Sequence, residues 1–166
     1  MRTLRACVLV ALLVVCSMGA KAQRIALKTN LPYWGVGGMN AGLELRMSRH
    51  WTFNVEVEGD VVKRFRNFTA TPEFRYWFQG RPMARHFVGV MGMASTYNLD
   101  VFDNFYNGTA MGLGLTYGYA FVLSKRLSLE LSAGAGWLNF RDEANEDRRN
   151  VFTPMKLAVS LIYVLK

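Results

Sequence analysis

Charged residues standing two positions apart are the first chemistry this sequence offers. Glu44 and Arg46, Glu56 and Glu58, and Glu73 and Arg75 form such pairs, with Lys28, Glu130 and, as a further candidate, Lys156 in similar settings. Two-residue spacing places both members on one face of a β-strand. Buried charges persist only when paired and hydrogen-bonded, so an ion-pair network is expected, with Glu73 or Glu130 close to Arg46 or Arg75. Other chemistry is sparse. An enzyme needs a nucleophile or acid assembled with its base, and the only histidines are His50 and His86. Both fall at expected turn-side strand ends, so no catalytic residues are assigned. Two histidines on different connections make a poor metal set. The segment 140–150 carries Arg141, Asp142, Glu143, Glu146, Asp147, Arg148 and Arg149, but it lacks the spaced acids of a calcium loop and reads as a solvated stretch. Gly112-x-Gly114 and Gly35-x-Gly37-Gly38 are not phosphate loops, because no helix is expected after either. Asn67-Phe68-Thr69 and Asn107-Gly108-Thr109 match the glycosylation sequon, and the second reads better as a turn. No metal and no cofactor is expected.

The elements that position these charges are strands. From Arg24 onward two-residue alternation recurs and no 3.6-residue apolar stripe does. Met111, Leu113, Leu115, Tyr117, Tyr119, Phe121 and Leu123 oppose Gly112, Gly114, Thr116, Gly118 and Ala120. Leu127, Leu129, Leu131, Ala133, Ala135 and Trp137 oppose Ser128, Glu130, Ser132, Gly134 and Gly136, and Leu157 to Leu165 repeat the pattern. Met39–Met47, Trp51–Val57 and Phe68–Phe78 alternate likewise. Residues 24–31 and 85–97 are weaker, the second because Val88 and Val90 blur the contrast with Phe87, Met91, Met93 and Tyr97. Together these make eight strands, each near the ~9–11 residues that cross a bilayer obliquely. Ser48-Arg49-His50, Ser124-Lys125-Arg126 and residues 79–84 are short connections; 59–67, 98–108 and 140–150 are expected as long polar loops.

Size decides which face is inside. An eight-stranded barrel has an interior that side chains just fill, so the large apolar face must point out and the glycines and charges in. Such an apolar belt far exceeds what soluble monomers expose, whereas lipid favours it and closure leaves no strand edge. Trp51, Phe78, Phe121 and Tyr163 then mark one interfacial girdle, and Tyr97, Trp137 and Phe152 the other. Arg2 and Arg5 precede an apolar run from Ala6 to Cys16, and Ala20-Lys21-Ala22 suits a signal peptidase. That run is shorter than the roughly 20 residues of a membrane helix. Residues 1–22 therefore read as a cleaved signal peptide and 23–166 as one domain. Cys7 and Cys16 leave with the signal. Removing Arg2, Arg5 and Lys21 from the 20 basic residues leaves 17 against 12 acids, a net charge of +5. Runs of Lys or Arg never exceed two, so nucleic acid is not an expected partner.

Several segments match a known pattern. Ala26-Leu27-Lys28-Thr29-Asn30-Leu31 with Tyr33-Trp34, then Pro72-Glu73-x-Arg75-Tyr76-Trp77-Phe78, Gly118-Tyr119, Ser124-Lys125-Arg126, Pro154-x-Lys156 and Ser160-Leu161-Ile162-Tyr163 resemble an uncharacterised family of Bacteroidetes outer-membrane proteins, a domain of unknown function numbered three-five-seven-five. The resemblance covers nearly all of residues 23–166. It implies an outer-membrane barrel and, in some relatives, a setting near fimbrial or other surface-assembly components; it supplies no catalytic residues. The expected protein is thus all-β, an eight-stranded antiparallel up-and-down transmembrane β-barrel of a Gram-negative outer membrane. It is expected to be non-enzymatic, with a side-chain-filled lumen and an envelope-structural or surface-interaction role. Its partners are outer-membrane lipid, the barrel-assembly machinery during insertion, and a surface or fimbrial protein. The readings weighed against it are a narrow gated pore, a soluble lipocalin-like ligand-binding barrel and a lipid-modifying outer-membrane enzyme.

Overall fold

A computed structural model describes residues 25–60, 65–101, 104–142 and 148–165. The expected signal peptide lies outside the described residues. Eight strands close in chain order: β1 Ile25–Asn30, β2 Gly38–Arg46, β3 Trp51–Asp60, β4 Phe65–Trp77, β5 Arg85–Val101, β6 Asn104–Val122, β7 Leu127–Asp142 and β8 Arg148–Val164. All neighbours are antiparallel, and β1 closes the cylinder against β8 from Ala26↔Val164 to Asn30↔Ser160. Side chains alternate across this wall as the pleat requires. On β6, Met111, Leu113, Leu115 and Tyr117 are exposed outside, while Thr116, Gly118 and Ala120 are buried inside.

The strands depart from the expected uniform length. β1 has 6 residues, β5 17, β6 19, β7 16 and β8 17. The stretch expected as a loop at 98–108 is instead ladder, paired from Asn98↔Asn107 to Val101↔Asn104. That at 140–150 is paired through Arg141↔Arg148, and β3 and β4 shorten the third gap to residues 61–64. Aromatic and β-branched residues continue into the stretches at 59–67 and 98–108, and at 140–150 the ladder extends simply because both strands keep pairing.

β1 stops at Asn30, short of the expected Leu31, because Pro32 has no amide to give a ladder and its fixed φ suits a first helical turn. A five-residue helix, α1 Leu31–Gly35, follows with that proline in its opening turn. Tyr33 on α1 donates to Asp60 Oδ1 at 3.0 Å. Burial, then the neighbouring Asp60 carboxylate, pushes its phenol above its ordinary range.

The opposite end is built from tight turns. The Ser48 hydroxyl accepts from the Trp51 amide at 3.2 Å, and the Ser124 hydroxyl accepts from that of Leu127 at 3.2 Å. One serine signal therefore sets both turns. The link from 79 to 84 folds back into the barrel mouth, with Met83 buried at φ +63°. There Met83 joins Ala26, Trp77, Phe87, Ala120 and Ile162 in an apolar floor.

This floor corrects one expectation. On β5 the inward residues are Phe87 and Met91, both fully buried, and the outward ones are Val88 and Val90. Both faces of β5 are apolar, so alternation alone carries no contrast there. A second irregularity is a bulge: Gly134 faces Lys156 but Ala135 faces Pro154, leaving Met155 as the extra residue. Among the described residues no helix is long and apolar enough to cross a membrane.

Candidate functional site: the charged lumen

Above the apolar floor, strand register gathers charge from six strands. Thr52 lies opposite Arg75, Asn54 opposite Glu73, and Glu44 opposite Asn54. Lys28 faces Gly42, which also faces Glu56. A Cβ at Gly42 would stand 3.0 Å from the Glu56 side chain and 3.1 Å from that of Lys28, so the glycine leaves room for both chains to reach inward.

Arg75 is the hub. Its Nη1 lies 3.1 Å from Glu44 Oε2 and 3.0 Å from Glu130 Oε2; its Nη2 lies 2.7 Å from Glu73 Oε2 and 3.5 Å from Glu56 Oε1. The planar fork with donors on both sides suits this multi-carboxylate role, which a lysine could not fill. The same guanidinium sits 4.5 Å above the Phe87 ring, so the charged layer rests on the apolar one. Lys28 Nζ donates to both oxygens of Glu130 at 2.8 Å, and lies 3.4 Å from Glu44 and 3.6 Å from Glu56. Lys156 Nζ bridges Glu56 at 2.8 Å and Glu73 at 3.1 Å.

Neutral donors satisfy remaining oxygens. Thr52 donates to Glu44 Oε1 at 2.6 Å, Asn54 Nδ2 to Glu56 Oε1 at 2.9 Å, and the Thr116 hydroxyl to Glu73 Oε1. Thr52 also accepts from the Trp77 indole at 2.9 Å, tying cage to floor. Glu44, Glu130 and Arg75 have no exposed surface. Chemically this is a cage of three cations and four carboxylates, formally one negative charge in excess, in which each acid oxygen faces a cation or a donor. Among the described residues no group of three or more His, Cys, Asp or Glu is arranged to hold a metal.

The structure thus brings together Lys28, Glu44, Glu56, Glu73, Arg75 and Glu130, and makes Lys156 a full member. Arg46 is a correction. It lies at the tight-turn mouth, where its Nε donates to the Ser48 carbonyl at 3.1 Å, because β2 ends at that residue and carries it past the cage. Glu58, half-buried, lies toward the other rim. Sequence reasoning missed Thr52, Asn54 and Thr116 as carboxylate partners, although all three share the inward parity of their strands. It also missed Trp77, whose neighbours Tyr76 and Phe78 drew attention to the outer face.

Outside, Trp51, Phe78, Phe121 and Tyr163 are exposed around the tight-turn end. Trp51 packs edge-on against Tyr76 at 5.1 Å, and Tyr76 against Phe78 at 5.7 Å. Trp137 stands on the wall toward the other end, 5.0 Å from Phe152. The side chain of Tyr97 lies outside the described residues. His50 stacks on Tyr76 at 5.5 Å, and His86 Nδ1 meets the Tyr117 hydroxyl at 2.6 Å. Both histidines are on the outer surface of the tight-turn end, away from the cage.

A family model described as "Protein of unknown function (DUF3575)" matches residues 8–165. No curated protein and no solved structure matches the chain.

Proposed function

We propose that this chain, which belongs to the DUF3575 family of proteins of unknown function, is an exported outer-membrane β-barrel of a Gram-negative envelope. In this reading residues 1–22 are the cleaved signal and the tight turns face the periplasm. The barrel is non-enzymatic, and its filled lumen makes it a rigid stave that structures the envelope or carries its far end to a surface or fimbrial partner. Lipid is its solvent and the barrel-assembly machinery its route in.

One observation carries the reading. Leu113, Leu115, Trp137 and Leu157 are each more than 65% exposed on the outer wall, while Glu44, Glu73 and Glu130 are buried within it. Water rewards the reverse arrangement, and lipid rewards this one. A lipocalin-like carrier needs an apolar lumen open to a ligand, and the cage occupies that space with charge. The lipid-modifying enzyme reading lacks a nucleophile and base set beside its substrate: the two histidines stand at the tight-turn end, on separate partners.

Fractionation tests this directly. The chain tagged at its C-terminus is expected in the detergent-soluble envelope fraction, with a compact band in unheated gels that shifts on boiling. Recovery from the soluble periplasm without detergent would overturn the proposal.

A further inference from the structure

We infer that the tight-turn end of the barrel is a binding rim for the phosphate groups of anionic phospholipids. The inference rests on the outer-membrane reading above and adds what that reading lacks, a lipid class. Along the chain the cations look scattered. The fold collects them: segments 46–50, 78–85 and 123–126 carry Arg46, Arg49, Arg81, Arg85, Lys125 and Arg126 and no carboxylate residue. All but half-buried Arg46 are exposed. The opposite rim is mixed in sign: its strand ends carry Glu58, Asp60, Asp100 and Asp142 together with Arg66, Arg141, Arg148 and Arg149, so among the described residues only the tight-turn end is of one sign.

The rim is also shaped. Arg46, Arg81, Lys125 and Arg126 line a depression of about 320 Å³ together with Ser124, Ser128, Met83 and Val164. Four cations and two hydroxyls in one depression match a phosphate group. The left-handed backbone at Met83 and Arg85 keeps this link folded over the mouth, with Arg81 and Arg85 exposed on it. Position argues for a lipid over a soluble polyanion. The cations stand immediately beyond the half-exposed belt of Trp51, Phe78 and Phe121, the depth at which headgroups begin when such a belt marks the interface. Each surface cation near an anionic leaflet strengthens binding by about fivefold, and salt weakens the effect.

The test uses the full mature barrel refolded into vesicles, with Trp34→Phe and Trp137→Phe so that Trp51 is the wall-facing reporter beside the rim. Brominated phosphatidylglycerol and brominated phosphatidylcholine are compared as quenchers. The expected result is a relative association constant favouring phosphatidylglycerol by about tenfold at low salt, falling toward one in about 0.5 M salt. In the variant Arg46→Gln, Arg81→Gln, Lys125→Gln, Arg126→Gln the preference is expected to vanish while the heat-modifiable band persists. The milder pair Arg81→Gln, Arg126→Gln is expected to lose about half of it on a logarithmic scale and carries the test if the fourfold variant does not fold. Equal quenching by both lipids, or a preference that survives neutralisation, would overturn the inference. Displacement of phosphatidylglycerol by millimolar inorganic pyrophosphate would assign the rim to soluble phosphates and overturn the lipid source. Failure of either lipid to quench Trp51 would sink the membrane reading itself, and this inference with it.

Discussion

Arg75 concentrates the physics of the lumen at a single residue. It is fully buried and within 3.5 Å of four carboxylates, so its removal leaves Lys28 as the one cation beside Glu44 and Glu130, and Lys156 as the one beside Glu73. Stranding a buried charge in this way costs about 3–5 kcal/mol. Arg75→Ala is therefore expected to lower the urea unfolding free energy of the detergent-refolded barrel by that amount. A loss under 1 kcal/mol would mean that water already screens the cage. Lysine is no remedy, since one ammonium cannot serve carboxylates on both sides. The cage was largely legible in advance because Glu, Arg and Lys at alternate positions share a face whatever the fold. Two positions were less so. Alternation from Leu157 places Lys156 inside, as expected of a candidate member, whereas alternation from Pro154 across the extra residue Met155 would place it outside. Phe87 lies on a strand whose two faces are both apolar, and only the inward neighbours it meets on the adjacent β4, Trp77 and Arg75, decide its side.

At the scale of elements, links and strand ends carry what alternation could not. The link from 79 to 84 reads as a short polar connection, yet its one large apolar residue, Met83, turns inward and seals the floor. Met83→Ala is expected to cost about 2–5 kcal/mol, the range for truncating a buried methionine that leaves a cavity. Equilibrium unfolding measures it, and an unchanged midpoint would mean that the link is not seated in the mouth. At the other end α1 is fastened to β3 by the hydrogen bond from Tyr33 to Asp60. The raised phenol pKa means that the folded state holds its proton more tightly than the unfolded chain. Its contribution to stability is thus fully present below the ordinary tyrosine range and is lost as pH rises through the folded value. Absorbance titration at alkaline pH should show one tyrosine ionising last, and Tyr33→Phe should remove that final step. If the last step persists in Tyr33→Phe, another residue owns it. Strand ends were illegible for a related reason. Polar residues at 98–101 and 104–108 suggest a loop, but backbone pairing continues wherever a partner strand stays alongside, and polarity then says only which solvent the side chains meet.

For the whole molecule, the decisive quantity is the solvent that the wall prefers. Class and strand count were readable because period-two alternation combined with a small-residue face admits few closed architectures. The same pattern is silent on whether water or lipid lies outside, and a single substitution can interrogate that. Leu115 is 68% exposed on β6, between the level of Trp137 and that of Phe121, and points away from the lumen. In a bilayer, Leu115→Arg places a cation among acyl chains and should cost about 2–4 kcal/mol of folding free energy near the midplane. In water the same change at so exposed a site should fall within about 0.5 kcal/mol. Leu157→Arg, on β8 at 83% exposure, provides an independent copy of the experiment on another strand. Both variants keep the cage and the floor intact, so their effect reads the exterior alone. Reversible unfolding from phospholipid vesicles should show two separate losses in the bilayer range, and the double variant should approach their sum because β6 and β8 are separated by β7. Losses near zero for both would place water against this wall, and the barrel would then need a protein partner to cover its leucines.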